Sequence, residues 1–127
     1  MEKSVTSLGE LWEREGPFDG VLGFSQGACL VAVLAARQSQ GLLPPGMSFE
    51  FAAVFSGFLP NDPTFAAEIK SAAPVMLPSF HCYGGSDEII SPAQSLEAVG
   101  LFDPASAKMV MEHDGGHLVS DAILMLY

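Results

Sequence analysis

The chain has 127 residues, 49% of them hydrophobic and 16% charged, which suits one packed domain and excludes a disordered segment. Its formal net charge of −10 at pH 7 is repelled by phosphate backbones and anionic headgroups, so nucleic acid and charged membrane surfaces are excluded as partners. No apolar run approaches the ~18–20 residues of a membrane span, and the charged stretch 1–15 holds no signal-peptide core.

In chain order, Ser4–Glu15 reads as an amphipathic helix, with Leu8, Leu11 and Trp12 at i, i+3, i+4 spacing and Gly16-Pro17 as its stop. Phe18–Phe24 is a short buried strand, and Gln26–Gln38 follows at once as a helix rich in Ala, Leu and Val. A Gly/Pro loop, Gly41–Gly46, leads to a second strand, Phe49–Phe55. The connection Leu59–Pro74 carries a short helix over Pro63–Ser71. Pro78 confines the third strand to Ser79–Tyr83, Pro92–Val99 is a helix with Pro in its first turn, and Lys108–Glu112 is the fourth strand. Leu118–Tyr127 is a final apolar helix. Strands alternating with helices predict an α/β fold: an open parallel sheet of about four strands, with right-handed crossovers and helices on both faces. Cys29 and Cys82 each sit in an apolar stretch with no metal-like spacing. They read as buried free thiols in a reducing compartment, which points to a cytoplasmic protein.

Ligands of such sheets bind beyond the carboxyl ends of the strands, so the residues after each strand matter most. After the first comes Gly23-Phe24-Ser25-Gln26-Gly27, a G-x-S-x-G between strand and helix. Its two glycines remove Cβ atoms where the chain turns tightly, and the elbow holds Ser25 exposed at a helix N-terminus. There the Gln26 N–H can meet a developing oxyanion. After the third strand, Asp87 in Gly84-Gly85-Ser86-Asp87-Glu88 can orient a histidine, or simply cap the following helix. After the fourth, in His113-Asp114-Gly115-Gly116-His117, the glycines can swing His117 back over the sheet edge as a general base. His113 reads as a structural neighbour of that base, and His81, inside the third strand, as a satisfied core histidine. No His-x-x-x-His falls on a predicted helix, so no metal site is expected. The chain order Ser25, Asp87, His117 is that of α/β-hydrolases.

On these stretches, together with Gly16–Ala28 and Phe55-Ser56-Gly57-Phe58, the chain resembles the FSH family of serine hydrolases in the α/β-hydrolase superfamily, from about Leu8 to Val119. The carboxylesterase and acyl-protein thioesterase group shares the G-F-S-Q-G elbow. The longer F-D-G-V-L-G-F-S-Q-G-A stretch and the H-x-G-G-H ending favour the FSH family. The resemblance implies a nucleophile at Ser25, an orienting acid at Asp87, a base at His117, a small carboxylic ester or thioester as substrate, and no cofactor. The chain departs from the family in lacking a Leu-His-Gly-like strand end before Ser25, which would supply a second oxyanion donor, and in carrying Ser120 where Pro is usual. Residues 1–127 are therefore expected to be a hydrolase domain lacking its N-terminal strands. The strand Phe18–Phe24 would then have an open edge inviting self-association. Phe58, Leu59 and Phe65 are candidate acyl-pocket residues. The competing expectation is a weak or inactive fragment that acts as a binding module.

Overall fold

The structure, a computed structural model, describes residues 2–119. The final apolar helix expected over Leu118–Tyr127 falls almost wholly outside them. The described chain runs α1 (Glu2–Glu15), β1 (Gly20–Phe24), α2 (Gln26–Ser39), β2 (Phe51–Phe55), α3 (Pro63–Ala72), β3 (Ser79–Gly84), α4 (Pro92–Val99) and β4 (Lys108–His113).

Local chemistry sets these boundaries. Asp62 caps α3 by accepting from the Thr64 N–H at 2.8 Å, with Pro63 in the first turn where its missing N–H costs nothing. Ser91 and Gln94 form a reciprocal capping box at α4. Two strands start two residues later than the apolar pattern predicts. Phe18 leaves β1 to pack edge-on against Trp12, with centroids 5.0 Å apart. Phe49 turns into the core while its backbone pairs with the Gln38 side chain.

The four strands form one parallel sheet in the order β1-β2-β3-β4, as the class expected from the sequence requires. Among the described residues, however, all four helices lie on one face. Val21, Ala52 and Val54 point into the main core, which takes Val5 and Trp12 from α1, the run from Ala28 to Ala36 in α2, and Ile69 from α3. A methyl group on Gly57 would touch Val54 and lie within 3.9 Å of both Ala28 of α2 and Ala98 of α4, which places α4 on that face as well. The reason is topological. Strands laid side by side in one direction, with crossovers of one hand, put every connection on the same side. This places the crossover helices α2, α3 and α4; α1, which precedes β1, joins them through Val5 and Trp12.

The opposite face aligns Leu22, Ala53, Phe80 and Met109 across the sheet, and beside them Phe24, Phe55, Cys82 and Met111. Its small cluster is centred on Phe55 and Cys82, and Val119 packs against it. Leu22 (61%), Phe51 (49%) and Met109 (58%) remain exposed there. Within the helical layer, Arg37 of α2 ties α1 to α3, binding Glu2 and Glu68 (2.7 Å from Nε) with its guanidinium 5.7 Å from the Phe65 ring centroid.

Candidate active site

Ser25 sits between β1 and α2 with φ 57° and ψ −114°, a left-handed conformation uncommon for a residue with a Cβ. Its N–H donates to the Phe55 carbonyl (2.9 Å) and its carbonyl accepts from the Cys29 N–H (3.0 Å), so both sides of the elbow are pinned. Ser25 occupies the N-cap position of α2 yet makes no side-chain cap bond. A capping serine normally spends its oxygen on the helix; here the oxygen is left for another partner. Gly23 fits the expected role, because a methyl group there would collide with the Gly27 carbonyl and the Ala28 nitrogen. Gly27 does not: among the described residues, a methyl group there would meet nothing within 4 Å. The elbow is tight on one side only.

The partner of Ser25 is His117, whose Nε2 lies 2.9 Å from Ser25 Oγ across 92 residues of sequence. Its Nδ1 lies 2.9 Å from Asp87 Oδ2. An ionised carboxylate only accepts, so Nδ1 carries the proton and Nε2 of the neutral ring is free to accept from the Ser25 hydroxyl. The three residues selected by chain order are thus brought into one hydrogen-bonded line.

Asp87 is held firmly. Its side chain is fully covered, and Oδ1 accepts from the N–H groups of Ile89 and Ile90, each at 2.9 Å. Burial pushes its pKa up, but the bonds from His117, Ile90 and Ile89 outweigh it and leave the carboxyl below its ordinary value. Asp87 is therefore both the histidine's partner and the organiser of its own loop. It does not cap α4, the other role its sequence position allowed, because Ser91 holds that place and Asp87 Oδ1 turns the loop ahead of it.

The acid and base loops interlock through glycine. The Gly85 N–H donates to the His113 carbonyl (2.8 Å) and the Ser86 N–H to the Gly115 carbonyl (3.2 Å). A methyl group on Gly84 would collide with the Gly115 and Gly116 carbonyls. Phe24, not among the residues expected at the site, packs its ring against the His117 imidazole, centroids 4.9 Å apart. Its place beside Ser25 in the motif was the available signal.

Gln26 is the first residue of α2, where helix geometry leaves the N–H without an intrahelical acceptor. Beyond it opens a cleft of about 560 Å³ lined by Gln26, Gly27, Cys29, Leu30, Phe58 and Phe65, among others. Phe58 and Phe65 line this cleft together with Gln26, while Ser25, Asp87 and His117 are not part of its lining. Leu59 does not line this cleft; from the loop after β2 it packs against the main core. Burial raises the Cys29 thiol to about 11 and also raises Cys82, so both free cysteines are poor nucleophiles. His81 is buried in β3, with Nε2 2.9 Å from Ser79 Oγ and its ring edge-on to Phe102.

A parallel sheet with a strand–serine–helix elbow, and an acid and a histidine on the loops after two later strands, defines the α/β-hydrolase class. Solved structures agree on the fold: maize acyl-protein thioesterase 2 matches with a TM-score of 0.72 over 98% of this chain and 60% of its own, at 20% identity. Esterase PE8 matches at 0.71, with 97% and 54% coverage and 20% identity. The chain belongs to the serine hydrolase (FSH1) family, whose model matches residues 1–122. Among curated relatives, esterase OVCA2 of Xenopus tropicalis is 37% identical over 94% of this chain and 49% of its own length. Esterase C25G4.2 of Caenorhabditis elegans is 39% identical over 93% and 52%. Rhodanese-like domain-containing protein 6 of Arabidopsis thaliana is 39% identical over 93% of this chain and 20% of its own length. The chain spans about half the length of the two esterases it matches.

Proposed function

We propose that the chain carries the catalytic machinery of a serine hydrolase that cleaves a small carboxylic ester or thioester through an acyl-enzyme. The observation that carries this reading is the continuous line Ser25 Oγ–His117 Nε2 and His117 Nδ1–Asp87 Oδ2, with 2.9 Å at each link. His117 takes the Ser25 proton as Oγ attacks the carbonyl carbon, and Asp87 stabilises the resulting imidazolium. The oxyanion of the tetrahedral intermediate accepts from the Gln26 N–H at the positive end of α2. His117 then protonates the leaving alcohol or thiol. In the second half it deprotonates water, which attacks the acyl-enzyme and releases the acid with Ser25 restored. Every step uses groups of the chain and calls on no cofactor. The cleft lined by Phe58 and Phe65 receives the acyl part, and two buried thiols suit the reducing cytoplasm.

A fluorophosphonate probe tests the assignment, since it is attacked by an activated serine. Labelling is expected on the wild-type chain and absent from Ser25→Ala, with hydrolysis of short aryl esters lost by up to about 10⁶-fold. Equal labelling of both would remove Ser25 from the role.

A second reading has its own observation. Among the described residues β1 pairs only with β2, and the Cα of Gly27 faces open space. An unpaired edge beside an apolar face is a template for another strand. In this reading the chain acts as a binding module that associates through β1.

A further inference from the structure

We infer that His113 is the positioning residue that fixes the turn presenting the base. This rests on His117 acting as that base.

The problem the fold must solve lies in the turn itself. His117 follows Asp114-Gly115-Gly116, and two consecutive glycines leave a backbone with wide freedom. A catalytic group has to be held within about 0.5 Å of its working position. The Asp87 bond restrains only the far end of the imidazole. The backbone bonds from Gly85 and Ser86 hold the carbonyl sides of His113 and Gly115. The Gly115 N–H is held by a side chain: it donates to His113 Nδ1 at 3.0 Å. A side-chain acceptor reaching the N–H two residues on is the geometry of an Asx turn, here made by an imidazole. The ring also lies against Gly84, where a methyl group would come within 2.9 Å of its Cε1, so β3, the ring and the turn stack without spare room.

The bond dictates a tautomer. His113 Nδ1 must present its lone pair, so the proton of the neutral ring resides on Nε2. His117 has the reverse arrangement, with the proton on Nδ1 facing Asp87. Two histidines four residues apart therefore serve opposite ends of the same turn in opposite tautomers.

The test has two parts. Long-range ¹⁵N–¹H correlation spectra of the wild-type chain at about pH 8, where histidines are neutral, report each ring's tautomer directly. A bare Nδ1 and a protonated Nε2 on His113 are expected; a proton on Nδ1 overturns the inference. In kinetics, His113→Asn keeps an acceptor for the Gly115 N–H, whereas His113→Leu keeps bulk and loses it. The leucine variant is expected to lose roughly tenfold to a hundredfold in fluorophosphonate labelling rate and in kcat for an aryl ester, with KM within about twofold and an unchanged melting curve. The asparagine variant should recover most of that loss. Wild-type rates in the leucine variant, or equal impairment of both, overturn the inference. Should the leucine variant fail to fold, the wild-type tautomer and the asparagine variant's rate decide it. Persistent labelling of Ser25→Ala would instead sink the serine-hydrolase reading, and leaves the tautomer measurement intact.

Discussion

The two faces of the sheet are finished to different degrees. Under the helices, Val21, Ala52 and Val54 are packed into a continuous core, and His81 is buried with a hydroxyl partner. On the other face Leu22, Phe51 and Met109 meet solvent, and only Phe55 and Cys82 are fully covered. The candidate site lies where the two meet. Asp87 is buried in a loop that locks onto the β4 turn, while the imidazole it orients leans on Phe24, whose strand neighbour Phe55 belongs to the barer face. One contrast thus runs through the molecule: chemistry is anchored by interlocked loops, and the surface beside it is held by much less.

The largest expected effect breaks the anchored side. Asp87→Asn should keep a partner for the ring but favour the wrong tautomer of His117, lowering kcat by about 10⁴ in steady-state ester hydrolysis. A fall under about tenfold would mean that Asp87 serves its loop rather than the base.

The covered face should also respond to acid. His81 is 2% exposed, and burial first, then the Lys108 charge, hold its pKa down to about 4. The unfolded chain takes up this proton near its ordinary value of about 6.5, before the folded chain does. Stability is therefore expected to fall by about 3 kcal/mol as pH drops from about 6.5 to about 4. Asp87, whose folded pKa is depressed, contributes in a lower window: its share is present above about pH 4 and lost as pH falls through the folded value. Urea titrations at several pH values should give a flatter slope between pH 4 and 6.5 for His81→Gln, on the order of one proton fewer.

Two glycines sharpen the comparison. Gly84→Ala drives a methyl group into the base turn and should cost about 100-fold in kcat, with a modest drop in melting temperature. Gly27→Ala meets open space and should melt at or slightly above the wild-type temperature. A clear loss of stability in Gly27→Ala would show that something packs there in the working protein. The smallest effect belongs to the bare face. Leu22→Lys and Met109→Lys should change stability by no more than about 0.5 kcal/mol. If the open β1 edge and its face drive association, both should shift size-exclusion profiles toward monomer; an unaltered profile would locate association elsewhere.

Much of this was legible in the sequence because it is written in local chemistry. Pro63, Pro92 and the Ser25 elbow mark element starts, and Ser25, Asp87 and His117 each follow a strand. Three features were hidden because they depend on neighbours distant in sequence. Leu59 looked like a pocket residue, but the loop after β2 packs it against the core. Gly27 looked sterically necessary by motif, yet no described residue lies within 4 Å of a methyl group placed there. The one-sided placement of α2–α4 follows from strand order, which periodicity does not encode. The need for Gly84 likewise emerges only when the turn from β4 is laid over it.

The strand order has one more consequence, for how the chain reaches its active form. Every pairing in the sheet joins strands adjacent in sequence, so each βα step can be added to the one before at low loop-closure entropy. The hydrogen bond between Ser25 and His117 is different in kind. It closes a span of 92 residues, joining the turn after the first strand to the turn after the last. Secondary structure can therefore return on refolding before the serine is activated, and reactivity toward a fluorophosphonate should lag the recovery of far-ultraviolet circular dichroism. The Ser25–His117 bond thus serves as a clock for the arrival of β4.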